Sequence, residues 1–73
     1  MIGTFQETLL EYIGNGKEIR YIANLLNLSK LRLIEEIENL EKLGYLQVAT
    51  QIDGSIYSCW LTDKGWFYLD EVF

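Results

Sequence analysis

Lys17, Arg20, Lys30 and Arg32 are the residues of this chain best suited to chemistry with a charged partner. Together with Ser29, Leu31 and Asn39 they form a candidate surface for double-stranded DNA. The cations would neutralise phosphates, and each such contact carries a share of the salt-dependent affinity. Serine and asparagine supply hydrogen-bonding groups for phosphates and base edges, and a leucine near a helix start can touch a thymine methyl. The same residues have a plainer reading. Arg20, Lys30 and Arg32 serve equally as solvated charges that offset nearby glutamates. An exposed Leu31 is as easily a protein contact.

Other chemistries find less material. No nucleophile, base and orienting group come together at a recognisable spacing, so the chain is not expected to be an enzyme. Glu35, Glu36, Glu38 and Glu41 read as the wet face of a helix. There is no histidine, and Cys59 is the single cysteine, which excludes an intramolecular disulfide and leaves no metal-ligand pattern. No cofactor is implied. Asn15-Gly16 is a turn without a phosphate-cradling glycine pattern around it. Trp60, Trp66, Phe67, Tyr68 and Phe73 lack the interleaved cations of a base-stacking platform and read as core plus a dimer contact.

The candidate residues must be positioned by helices. Ile22, Ala23, Leu26 and Leu28 fall on one side of a short helix, with Arg20 and Asn24 on the other. Asn27 interrupts it, and Ser29 is a good N-cap for the next helix. There Leu33, Ile37 and Leu40 recur at intervals of four and three and define a buried stripe, widened by Ile34 and Leu43. Gly44 is the natural stop. Before this pair, Phe5, Leu9, Leu10 and Ile13 predict a first amphipathic helix, with Glu7 and Glu11 outside and Thr4 and Glu7 as a capping box. Lys17 to Ile19 could add a very short strand. After Gly44 the residues favour strands, and Asp53-Gly54 is a strong hairpin signal. Thr62 caps a last helix, with Trp66, Leu69 and Phe73 turned inward.

This pattern resembles a winged helix-turn-helix domain of the kind found in MarR-like small regulators. The residues that carry the likeness are Ile22-Ala23, Leu26, Leu28-Ser29, Leu33, Ile37, Leu40-Glu41 and Gly44-Tyr45-Leu46. Leu61-Thr62-Asp63-Lys64-Gly65 adds the step by which such domains leave the wing. The resemblance implies a mainly α fold with a small β-hairpin wing, in one domain over residues 1–73. The helix-turn-helix would span 18–43, the wing 45–61 and the C-terminal helix 63–72. It also implies a DNA-binding transcriptional regulator that acts as a dimer.

Charge opposes that implication. Six lysines and arginines face eleven acids, for a formal net charge of −5, so the long-range field repels a polyanion. With Leu33, Ile37 and Leu40 inside, the opposite face carries Leu31, Arg32, Glu35, Glu38, Asn39 and Lys42, whose charges cancel. Tyr45 to Thr62 holds no lysine or arginine, and the wing tip, Gln51 to Gly54, bears only a negative charge. A second reading is therefore kept open: an acidic winged helix that docks a protein such as a regulator, polymerase or host defence protein. With 49% hydrophobic residues in 73, the chain has surplus apolar area for its size. A homodimer through Phe5, Leu9, Phe67 and Phe73 of the first and last helices is the expectation. No apolar run approaches a membrane span and no signal segment is evident, so a soluble cytoplasmic protein is expected. The compact, proline-free composition would suit a virus or mobile element.

Overall fold

The computed structural model describes residues 3–72. Four helices and one antiparallel hairpin follow in the order α1 (Thr4–Gly14), α2 (Ile19–Leu26), α3 (Lys30–Lys42), β1 (Leu46–Thr50), β2 (Ile56–Leu61) and α4 (Asp63–Val72). This is a mainly α domain with a β-hairpin wing.

Three helices end by the same device. Lys17 N–H donates to Tyr12 C=O and Gly16 N–H to Ile13 C=O; Leu28 donates to Ala23 and Asn27 to Asn24; Tyr45 donates to Leu40 and Gly44 to Glu41. Each pair satisfies carbonyls that a helix end would otherwise leave free. The pivot residue must be left-handed. Glycine serves at two of these ends, and at the third Asn27 takes φ 55°, which asparagine tolerates better than most side chains. Ser29 then starts α3, its Oγ accepting from Arg32 N–H at 3.2 Å. A short, fixed turn between α2 and α3 results.

The core is apolar throughout. Leu9, Leu10, Ile13, Ile22, Leu33, Ile37, Leu40, Leu46, Leu61 and Leu69 form one buried cluster. The stripe of α3 is confirmed, with Leu33, Ile37 and Leu40 all at 0% exposure. Leu43 is not part of it and is about half exposed, because the chain has already begun its C-terminal turn there.

Several local expectations are corrected. The N-terminal cap of α1 lies one residue earlier: Gly3 is the N-cap, and Gln6 Oε1 accepts from Gly3 N–H at 3.1 Å. Glu7 instead receives a short hydrogen bond from Tyr68 Oη, which ties α1 to α4, so it does not sit on the wet side. Lys17 to Ile19 form no strand, because Lys17 N–H closes α1 and Ile19 already opens α2. Phe5 and Trp66 point inward less than expected and are partly exposed. Leu9 is fully buried within this chain, so it cannot belong to a dimer contact. Phe73, expected in the core and at a dimer contact, lies outside the described residues.

The hairpin pairs Leu46 with Leu61, Gln47 with Trp60, Val48 with Cys59 and Ala49 with Ser58, then shifts so that Thr50 faces Ile56. The extra residue is Tyr57. Strict alternation would turn Tyr57 inward with Cys59 and Leu61. The bulge sends Tyr57 to solvent and packs Ile56 on the core instead. The wing exit is locked to the end of α3. Thr62 Oγ1 donates to Gly44 C=O at 2.6 Å and accepts from Gly65 N–H at 3.2 Å, while Lys64 Nζ donates to Leu43 C=O at 2.7 Å. A Cβ at Gly65 would collide with the Tyr45 carbonyl oxygen, which explains the glycine of the Leu-Thr-Asp-Lys-Gly step.

Candidate nucleic-acid interface

Burial of Leu33, Ile37 and Leu40 fixes what α3 offers to a partner. At the helical angle of successive residues, the crest opposite that stripe is Leu31, Glu35, Glu38 and Lys42. Arg32 and Asn39 lie on one shoulder, and Lys30 with Ile34 lies on the other. All of these except Ile34 are exposed, as the sequence implies. Leu31, at 68% exposure, occupies the start of the crest. The crest thus carries one cation at its far end and two carboxylates before it.

The four candidate cations divide. Arg32 Nη2 makes a 3.2 Å ion pair with Glu36 Oε1, four residues on, and the Glu36 side chain is only 12% exposed. Glu36 is therefore no part of a wet face, and Arg32 is partly neutralised before any partner arrives. The ammonium of Lys17 lies 5.4 Å from the centre of the Tyr21 ring, an attraction that leaves its charge open to solvent. Arg20 and Lys30 have exposed side chains that make no hydrogen bond or ion pair among the described residues. The structure brings three cations to one side. Lys17 and Arg20 line a cleft against β2, and Arg20 and Lys30 line a second that shares Ile19 and Ile56 with it. Arg32 lines neither. Ser29 Oγ spends one of its two lone pairs on the cap of α3 and keeps the other and its hydroxyl proton for a partner.

The wing tip has no cation to add. Asp53 accepts from Ser55 N–H at 2.9 Å and from Ser55 Oγ at 2.7 Å, and these bonds hold its carboxyl below the usual range, with a smaller contribution from the charge of Lys30. Ile52 beside it is fully exposed. Burial alone raises the Cys59 thiol from 9.0 to about 11, so it is a poor nucleophile at neutral pH.

Two features of this surface escape the reading of α2 as a simple amphipathic helix. Tyr21 and Leu25, one turn apart, are each about half exposed and give α2 an apolar outer side. Their spacing was a visible signal. The clefts beneath Arg20 depend on where Ile56 lands after the bulge, and local spacing carries no signal for that.

Comparisons with protein-family models, with curated proteins and with solved structures gave no match. The functional reading therefore rests on this chain's own residues.

Proposed function

We propose that this chain is a small winged-helix regulatory protein of the MarR-like kind that contacts duplex DNA and acts as a dimer inside the cell. The observation that carries the reading is that Lys17 and Arg20 line one cleft and Arg20 and Lys30 the adjoining one, with Lys30 at the capped start of α3; none of the three makes an ion pair among the described residues, although Glu18 lines the first cleft as well. A helix start presents free N–H groups and a partial positive charge to phosphates, so Lys30 and the first turn of α3 act together there. Three free cations give a monomer a weak grip, and a second copy doubles it. Exposed Phe5, Trp66 and Phe67 on α1 and α4 supply apolar area for that second copy. Among the described residues no helix is long and apolar enough to cross a membrane.

Fluorescence anisotropy with a labelled random duplex at low salt tests the reading. Affinity should fall steeply with salt, and replacing Arg20 or Lys30 by glutamine should reduce the slope by roughly one unit per phosphate-binding cation removed. Glu35→Gln should tighten binding, because it removes a carboxylate from the crest. No binding by either form at high protein concentration would end the DNA reading.

A second reading is favoured by one observation: apolar groups are exposed where a DNA-reading surface needs cations. Leu31 leads the crest, Tyr21 and Leu25 lie on the outer side of α2, and Ile52 tips the wing. In that case the face docks a protein, and Leu31→Ala weakens that complex while DNA binding stays absent throughout.

A further inference from the structure

Every residue from Tyr45 to Ile52 is uncharged, and none is proline. That run contains β1, and among the described residues only β2 pairs with it, so its other edge is uncovered by any strand. Two hydrogen bonds fix which backbone groups face that edge. Thr62 N–H donates to Tyr45 C=O, and Gln51 N–H donates to Ser55 C=O. Antiparallel pairing alternates along a strand, so Tyr45, Gln47, Ala49 and Gln51 turn their backbone groups to β2. Leu46, Val48 and Thr50 turn theirs outward. None of these three makes a backbone hydrogen bond outside the hairpin among the described residues.

Open edges are ordinarily guarded by lysine, proline or a bulge. β1 has none of these, because the extra residue of the bulge belongs to β2. The outer edge of β2 is guarded: Lys17, Glu18 and Arg20 stand across a cleft from Ile56 to Cys59. β1 is therefore the edge open to pairing. Charge selects the occupant. Each copy carries a net charge of −5, so two copies repel one another at most approaches, and the neutral run along β1 is where that repulsion is least. Two β1 strands placed antiparallel about Val48 are related by a two-fold axis. Leu46 then faces Thr50 of the second copy, and every outward N–H meets an outward C=O. The same register carries Ile52, fully exposed, towards half-exposed Leu43 of the second copy.

We propose that the β1 edges of two copies pair antiparallel about Val48, so that the two hairpins form one continuous sheet. The contact uses no residue of α1 or α4 and no cation of the candidate DNA surface. It therefore does not rest on the function proposed above. Where α1 and α4 also pair, the wings join one dimer to the next. A single added strand pair is a small contact, so the association is weak and concentration-dependent.

The test uses the full chain labelled with nitrogen-15, with amide exchange against solvent followed by NMR from micromolar to millimolar protein. The Gln47 and Ala49 amides, bonded to β2, should exchange slowly at every concentration. The Val48 and Thr50 amides should exchange fast when dilute and slow by about tenfold when concentrated. Exchange at Val48 and Thr50 that ignores concentration, or slowing confined to α1 and α4, would overturn the proposal. In a sample mixed from labelled and unlabelled chain, an isotope-filtered NOE should join Gln47 of one copy to Ala49 of the other, and slowing without it would overturn the register. Thr50→Pro removes an outward donor and leaves the ladder to β2 intact. It should abolish the slowing at Val48 while Gln47 and Ala49 stay protected; persistence of the slowing in that variant would overturn the pairing. The wild-type exchange needs no variant, so misfolding of Thr50→Pro cannot obscure the result.

Discussion

Replacing Gly65 by alanine sets two effects against each other. Gly65 is the third residue of α4, and in an exposed helix alanine is favoured over glycine by about 1 kcal/mol. Gly65 is buried, however, and a Cβ there would overlap the Tyr45 carbonyl oxygen and lie 3.2 Å from Leu61 Cγ. The carbonyl is backbone and cannot swing aside. It also accepts from Thr62 N–H at 3.0 Å, so it is held on the side of the clash. Relief requires α4 to lift off the start of the wing, which strains the Thr62 bonds to Gly44 and Gly65. Overpacking of this kind costs about 1–3 kcal/mol, and breaking each hydrogen bond costs about 1 kcal/mol. Against the helix gain, Gly65→Ala should destabilise by about 2–3 kcal/mol, or roughly 10–20 °C in melting temperature for a domain this small. Gly14→Ala is the control. Its Cβ would meet the ring edge of Trp66 at 3.1 Å, but that side chain is 47% exposed and can move, so the change should stay within about 1 kcal/mol. Both are read from urea midpoints and thermal melts followed by circular dichroism. A Gly65→Ala protein that melts at or above wild type would refute the seating of α4 against Tyr45.

Other expectations follow from the same packing. Ile37→Ala or Leu40→Ala should cost about 2–5 kcal/mol, close to the whole stability of such a domain, and wild-type-like melting would place the stripe of α3 wrongly. Tyr68→Phe should cost about 1 kcal/mol by removing its bond to Glu7, and a double-mutant cycle with Glu7→Ala should show coupling; strict additivity would separate α1 from α4 at that point. The Cys59 thiol is raised to about 11 by burial, so it favours folding fully below about pH 9 and progressively less as pH rises towards 11. Wild type should accordingly lose stability relative to Cys59→Ala between those values, and midpoints that stay parallel across that window would count against burial of the thiol. A sedimentation experiment should find a dimer whose contact includes Phe67, and a monomer at high micromolar concentration would remove the dimer and weaken the DNA reading with it.

Much of the fold was settled by neighbours in the chain. The 3.6-residue spacing of Leu33, Ile37 and Leu40, the cap at Ser29, and the stops at Gly16, Asn27 and Gly44 each depend on groups within about five residues. Local hydrogen bonding and periodicity act at that range, which is why the element order and the turn at Asp53-Gly54 were legible. Arg32 and Glu36 stand four apart and could have been paired on the same grounds.

The remaining features join distant positions, and only packing could choose among the options. Glu7 reads as a surface acid until Tyr68 arrives from α4. Leu9 reads as spare apolar area until the other helices cover it. Gly65 has its meaning from a carbonyl at Tyr45, twenty residues earlier in sequence, and Ile56 faces the core only because one extra residue bends β2. The candidate surface divides in the same way. The sequence by itself determined that α3 carries Leu31, Glu35 and Glu38 outward, because a buried stripe leaves that face no choice. That Arg20 and Lys30 share a cleft while Arg32 stands apart was decided by the tertiary structure, because it depends on how the wing lies against two helices.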